Sequence, residues 1–199
     1  MRRIRLACIT LAVLLLAGCS LLLPPRPEPA KAVLSEVPDD VPHGRRHAAN
    51  LLVLLPEASP AYDTTRMAYS VKRYEVAYFR DHEWAGTPPR MVQPLLVWTL
   101  QRTGFFRAIL SPPETADIGY SLRTSILDLV QDYTVTPPVL RLSLRFQLLG
   151  ASGRPIAGRE IKVQEAMREA TPYAGVIAAN DALAKVLRVA ARFVLAAAR

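Results

Sequence analysis

The sequence has 199 residues, of which 51% are hydrophobic, and a formal charge of +8. This length is enough for one domain with a substantial core and short for two. The charge falls to +5 once the segment that holds Arg2, Arg3 and Arg5 is removed, and the other arginines are scattered along the chain. Scattered charge of this size indicates a solvated surface and does not indicate a nucleic-acid partner.

The first residues have the layout of a secretory signal, with a basic start and an apolar run from Leu6 to Ala17. The run is about 12 residues long, whereas a membrane-spanning helix needs about 20. It ends in four residues that resemble the lipobox of bacterial lipoproteins: Leu16, Ala17, Gly18 and Cys19. We therefore interpret residues 1–18 as a lipoprotein signal peptide.

The lipobox resemblance implies diacylglycerol on the Cys19 sulfur, cleavage before Cys19 and acylation of the new amino terminus. Ser20 follows, which in proteobacterial lipoproteins favours passage to the outer membrane, so we expect a lipid-anchored protein on the periplasmic face. An uncleaved anchor is the alternative, because Leu21, Leu22 and Leu23 extend the apolar stretch. Since Cys8 would leave with the signal, no cysteine remains for a disulfide or for thiolate chemistry.

Residues 19–48 are interpreted as the acylated cysteine and a tether, because this stretch has no usable periodicity. Proline fixes φ and removes a hydrogen-bond donor, so we expect an extended chain poor in regular hydrogen bonding. Fully extended, such a tether could reach about 90 Å. It holds six of the 17 prolines: Pro24, Pro25, Pro27, Pro29, Pro38 and Pro42.

Residues 49–199 are expected to form a single domain that begins with β-strands. The apolar run from Asn50 to Leu55 predicts a strand buried on both faces and central in a sheet. Arg66 to Tyr69 and Tyr74 to Phe79 predict a pair of short strands. Phe105 to Leu110 is expected to return as a further strand.

Thr87, Pro88 and Pro89 open the first predicted helix. Pro94 is an interior proline, which costs about 3 kcal/mol. The regular helix therefore either starts near Met91 or is kinked at Pro94.

The clearest predicted strand runs from Val139 to Leu148, where leucines and Phe146 alternate with polar residues. A phase shift in the preceding strand predicts a β-bulge near Ile126. A turn at 150–153 leads to a third strand around Ile161, and Pro172 starts the last helix. Together the elements predict an α+β fold, a mostly antiparallel sheet with two helices packed on one face.

Three blocks resemble the ABC-type transport auxiliary lipoproteins, including the paraquat-inducible group. The resemblance spans roughly residues 50–195, and Tyr62 stands where leucine is usual. The first block runs from Pro60 to Tyr69, the second from Val76 to Pro89, and the third is the turn from Thr103 to Phe106. The motif residues that could contact a partner are Tyr62, Asp63, Arg66, Tyr69, Tyr78, Trp84 and Pro88.

Membership of that family implies work beside an inner-membrane ABC transporter and its MCE-domain substrate-binding protein, in systems thought to move lipids between two membranes. The leading hypothesis is a non-catalytic accessory that docks the periplasmic component and carries no cofactor beyond the lipid on Cys19. The alternatives are a structural or assembly lipoprotein of another envelope complex, and a periplasmic lipid-binding carrier. A homo-oligomer is left open.

The residues give little sign of catalysis or metal binding. The sequence lacks the nucleophile-elbow, phosphate-loop and zincin motifs. Asp81, His82 and Glu83 are adjacent, but adjacent residues of an extended chain point to opposite faces. We expect Trp84 to be a core side chain rather than an exposed contact, and Asp63 to pair locally with Arg66.

Overall fold

The computed structural model describes residues 28–114 and 117–198. The predicted signal peptide, the lipobox and Cys19 lie outside these residues. The described elements, in chain order, are β1 (Ala30–Ala32), β2 (Asn50–Val53), β3 (Glu57–Ala58), β4 (Arg66–Ser70), β5 (Ala77–Trp84), α1 (Pro88–Arg102), β6 (Ile109–Leu110), β7 (Ile118–Asp132), β8 (Val139–Gly150), β9 (Pro155–Ala166) and α2 (Pro172–Ala197).

The sheet is built around β7, its longest strand. β8 pairs antiparallel with β7 along one edge, and β9 pairs antiparallel with β8. The other edge of β7 receives β2, β3 and β4 one after another, each in parallel. β5 pairs antiparallel with β4, while β1 joins β5 and β6 joins β2 in parallel. The long pairings of β7, β8 and β9 contain most of the paired residues, so the sheet is mostly, but not wholly, antiparallel. The α+β prediction is confirmed.

The core lies between one face of the sheet and the two helices. Leu144 and Phe146 of β8 are fully buried on this face, as the alternation predicts. The predicted bulge lies between Ile126 and Asp128 of β7, and it returns Leu129 to the core face opposite Leu142. The bulge therefore lets Leu129, beyond the bulge, share the core face with Leu122 and Ile126, before it in the strand.

The helices start at prolines, as predicted, but with different caps. In α2 the Thr171 hydroxyl accepts a hydrogen bond from the Ala174 amide at 3.2 Å, whereas Thr87 makes no such bond at the start of α1. α1 begins at Pro88 and continues through Pro94, so a start near Met91 is wrong. Its buried stripe keeps a helical spacing: Val92, Leu96, Thr99 and Leu100.

The strand predicted from Phe105 to Leu110 is shorter, because only Ile109 and Leu110 pair with β2. The first part of this stretch bonds irregularly instead. The carbonyl of Phe105 accepts from the His47 amide at 2.6 Å, and the Arg107 amide donates to the Ala49 carbonyl at 3.0 Å. These contacts bring residues 47–49 against the domain.

Residues 28–48, which we name the strap, form little regular structure, as expected, but they pack on the domain. β1 adds a three-residue parallel strand to β5, and Leu34, two residues further on, is buried in the core. The Asn180 side chain of α2 accepts from the amides of Ser35 and Glu36 at 2.8 and 3.1 Å and donates to the Val33 carbonyl at 3.1 Å. The strap therefore belongs to the folded structure.

Arginines from both helices hold the rest of the strap. Arg102 of α1 donates to the Pro38 and Asp39 carbonyls, each at 2.8 Å. Arg188 of α2 pairs with the Asp40 carboxylate at 2.6 Å. Side chains thus supply the partners that the proline-rich backbone cannot find in a regular ladder.

We predict that Asn180→Ala loosens the strap. The variant loses three strap hydrogen bonds, each with a net contribution of about 0.5–1.5 kcal/mol. The free energy of unfolding in urea should fall by about 1.5–4.5 kcal/mol, and trypsin should cut after Lys31 faster than in the wild type. Gln101→Ala, on an exposed position of α1, is the control. Equal cleavage rates for the two variants would contradict the role of Asn180.

Candidate functional site

The motif residues of the first block hold the loop between β3 and β4 on the sheet. Amides of Tyr62 and Asp63 donate to the Ser59 carbonyl at 2.7 and 3.1 Å and close the loop. The buried Tyr62 hydroxyl donates to the Asp128 carboxylate at 3.1 Å, next to the bulge of β7. Asp128 lies on the face opposite the helices, so Tyr62 covers that face at the bulge.

Arg66 and Tyr78 secure the same loop from the β4–β5 hairpin. The Tyr78 hydroxyl donates to the Ala61 carbonyl at 3.1 Å, and the Arg66 guanidinium lies 4.1 Å above the Tyr78 ring. The predicted pair between Asp63 and Arg66 is wrong, because none of the ion pairs among the described residues joins them. Asp63 is exposed, and the cation–π contact takes the place of the ion pair.

Trp84 and Pro88 are core residues at the junction of β5 and α1. Trp84 is only 4% exposed, and its backbone amide donates to the Thr65 carbonyl at 2.7 Å. Pro88 is buried in the first turn of α1. Burial of this degree removes Trp84 as an exposed partner contact, in line with the expected core position.

An aromatic cluster joins the hairpin to the start of α2. The rings of Tyr69 and Phe79 stack at 4.4 Å, and Tyr133 meets both edge-on. The Tyr133 hydroxyl donates to the Gln131 side chain at 2.8 Å, and Gln131 donates to the Pro172 carbonyl at 3.0 Å. Among the motif tyrosines, Tyr62 and Tyr78 therefore bind the fold through their hydroxyls, and Tyr69 binds it through its ring.

Two tyrosines and one aspartate in these clusters have shifted pKa values. Burial, together with the neighbouring Asp128 carboxylate, raises the pKa of Tyr62 to about 12. Burial alone raises the pKa of Tyr133. Burial would raise the pKa of Asp132 too, but hydrogen bonds from Thr134 and the Arg141 guanidinium outweigh it and lower that pKa below its usual value.

The histidines occupy separate environments. The His47 ring packs between Phe105 and Tyr120, and its Nδ1 accepts from the Ala49 amide at 3.1 Å. The His82 ring lies edge-on to Phe79 at 6.2 Å. In residues 28–114 and 117–198, no group of three His, Cys, Asp or Glu side chains is arranged to hold a metal ion.

The sequence patterns did not single out the exposed aromatic residues, Trp98 and Tyr74 among them. Trp98 of α1 is 43% exposed, with the Arg102 guanidinium 4.6 Å from its ring, and it borders a shallow groove with Pro94 and Val97. Tyr74 is 95% exposed at the β4–β5 turn and has a φ of 68°, which is uncommon for a residue other than glycine. The sequence did indicate that Trp98 is exposed, because this residue lies outside the apolar stripe of α1.

The space between the sheet and the helices is filled by side chains. Leu122, Leu144, Phe146, Leu183 and Leu187 are each fully buried there. Two depressions, of about 550 and 560 Å³, are grooves open to solvent at the surface. Neither described helix has the length and apolar character that a membrane crossing requires. The described surface offers shallow contact areas for a partner.

Solved structures share this fold. Protein XCC0632 from Xanthomonas campestris is 20% identical, with a TM-score of 0.75 over 85% of this chain and 96% of that one. A second structure, of an uncharacterised protein, is 13% identical with a TM-score of 0.69 and covers 84% and 99% of the two chains. The hypothetical protein CT253 from Chlamydia trachomatis is 7% identical, with a TM-score of 0.50 over 76% and 98%.

These likenesses define the class of fold. It is a mixed sheet with two helices packed on one face and short strands at its edges. The curated proteins contain no significant match to this sequence. The model of the ABC-type transport auxiliary lipoprotein component family matches residues 33–191, so the chain belongs to that family. The matched range begins inside the strap, which agrees with the packing of the strap on the domain.

We predict that the Tyr62 hydroxyl makes the protein sensitive to alkaline pH. An unfolded tyrosine loses its proton near pH 10, whereas Tyr62 holds its proton to about pH 12 in the folded protein. Its contribution to stability is complete below about pH 10 and is lost as the pH rises towards about 12. In urea titrations, wild type should lose more stability over this window than Tyr62→Phe.

The matched control is Tyr74→Phe, which removes a hydroxyl from an exposed ring and should follow the wild type. If Tyr62→Phe lost as much stability as Tyr74→Phe over this window, the assigned role of the Tyr62–Asp128 hydrogen bond would be wrong.

Proposed function

We propose that this protein is a non-catalytic, outer-membrane lipoprotein accessory of an ABC/MCE-type intermembrane lipid transport system, anchored through acylated Cys19. In this role the folded domain docks the periplasmic MCE-domain component. The observation that carries the proposal is the family match over residues 33–191, together with the lipobox that precedes it.

The packing of the interior supports docking over lipid carriage. An acyl-chain carrier needs an apolar cavity of several hundred Å³. Between this sheet and these helices, the described side chains interdigitate, and Leu144, Ala179 and Leu183 are fully buried. The open grooves lie at the surface, where they suit contact with another molecule better than enclosure of a lipid.

The outer face of α1 is our candidate for the protein-docking surface. Tryptophan and arginine are enriched at interface hot spots, and Trp98 and Arg102 lie together there. The guanidinium of Arg102 also donates to the strap carbonyls of Pro38 and Asp39, so the ring rests on an ordered side chain. An aromatic ring held in one orientation loses little conformational entropy on binding.

Acylation of Cys19 is tested first. Cys19→Ser should leave an uncleaved precursor and abolish labelling by radioactive palmitate, because the sulfur that accepts diacylglycerol is gone. Cys8→Ser, inside the predicted signal peptide, should be processed and labelled normally. Normal processing and labelling of Cys19→Ser would refute the lipoprotein anchor.

Docking is tested by co-purification of the detergent-solubilised, full-length protein with an MCE-domain protein. Wild type should retain the partner, and Trp98→Ala should weaken retention by about tenfold or more, as expected for loss of a hot-spot side chain. Ile156→Ala truncates another exposed apolar residue and should bind normally. One phospholipid per chain with no partner retained would favour the carrier instead.

A further inference from the structure

We propose that the end of the domain where the strap begins is a membrane-contact surface that rests on the phospholipid head groups around the protein's own anchor. We name it the strap end; it comprises the β4–β5 turn, the β7–β8 turn, the start of α2 and the start of the strap. The inference rests on the proposed acylation of Cys19 and adds the orientation of the domain.

The short chain between the anchor and the strap limits how far the domain can lie from the membrane. Glu28 is nine residues after Cys19. Whatever path these residues take, nine residues span at most about 32 Å. The chain is fixed to the domain from Ala30, where β1 pairs with His82 of β5. The anchor therefore holds the start of the strap within about 32 Å of the acylated cysteine.

The direction of β1 relates the start of the strap to one end of the domain. β1 is parallel to β5, so its first residue, Ala30, is the residue of β1 that lies nearest to Ala77 and the β4–β5 turn. This turn lies beside the end of β7, where Ser70 pairs with Asp132. β8 starts from the same end, and Gln131 binds the start of α2 through the Pro172 carbonyl. The first residue of β1 thus faces the end of the domain where these elements meet.

The exposed apolar side chains of the described residues are concentrated at the same end of the domain. Among the described residues, seven of the ten exposed large apolar side chains lie at the strap end, and Tyr173 is 67% exposed there. Most of them line three surface grooves: one beside Tyr74 and Val135, one beside Val71 and Pro172, and one beside Val33 and Tyr173. The seven are Val33, Val71, Tyr74, Val76, Val135, Tyr173 and Ile177.

The chemistry of this surface fits a bilayer interface. Tyrosine is enriched at the head-group level, where its ring is apolar and its hydroxyl meets water. Charges of both signs occur at this end: Lys72 pairs with Glu75, Arg141 pairs with Asp132, and the Arg73 guanidinium lies 5.3 Å from the Tyr74 ring. The net attraction to anionic lipid is therefore small. Contact depends on apolar side chains whose local concentration at the membrane is set by the short anchor.

The experiment uses the processed, lipidated protein in vesicles of phosphatidylethanolamine and phosphatidylglycerol at about three to one. After removal of the signal, Cys19 is the last remaining cysteine and is blocked by lipid. A single cysteine placed by Tyr173→Cys or Val71→Cys therefore carries a nitroxide spin label. The matched control is Ile156→Cys, which is 51% exposed beside the β8–β9 turn at the opposite end of the sheet.

Labels at 173 and 71 should collide more with lipid-soluble oxygen and less with a water-soluble nickel chelate than the label at 156. Raising the salt concentration should change this contrast little. Labels at 173 and 71 as accessible to the nickel chelate as the label at 156 would overturn the inference. Protection of these labels only after an MCE-domain protein is added would overturn it too, in favour of a protein partner.

Mass spectrometry of the same samples separates this inference from the proposed function on which it rests. A Cys19 residue without lipid overturns both. A lipidated protein with a water-accessible label at 173 overturns the membrane contact and leaves the anchor intact. Thermal unfolding of each labelled variant shows that the domain is folded when the accessibility is measured.

Discussion

The fold depends on β7 finding hydrogen-bond partners along both of its edges. β8 occupies one edge, while β2, β3 and β4 share the other in succession. The bulge at Ile126 returns Leu129 of β7 to the core face, where α2 packs against β8 and β9. Because a strand buried in this way cannot leave backbone groups unpaired, each short strand beside it is needed.

Local sequence patterns predicted the elements whose cause is local. The alternation in β8, the bulge in β7 and the apolar stripe of α2 are each visible within about ten residues of chain. The strap was not predictable in this way. Its hydrogen bonds come from Asn180 and Arg102, which are 145 and 64 residues away from the backbone groups they bind. No periodicity within the proline-rich stretch records such partners.

In the candidate site, too, local sequence patterns predicted some features and tertiary packing decided the others. The motif residues marked the family correctly, but most of them, including Tyr62, Tyr78 and Trp84, hold the fold together. Side chains left for contact with other molecules, Trp98 and Tyr173 among them, lie outside the motif blocks. A residue repeated within a family pattern thus reports on architecture here, whereas exposure is decided by tertiary packing and had to be read from the structure.

The strap also sets two lengths for the connection between domain and membrane. While it is fastened, the free chain spans at most about 32 Å. If tension released β1 from β5, Leu34 from the core, the contacts with Asn180, Arg102 and Arg188, and the backbone bonds of His47 and Ala49, the chain from Cys19 to Asn50 would span about 100 Å. β7 and its neighbours would keep their pairing, since Asn50 is where β2 begins. In an acylated form of this protein, the strap would thus store additional length of chain. Mechanical load would release this length without loss of the central sheet.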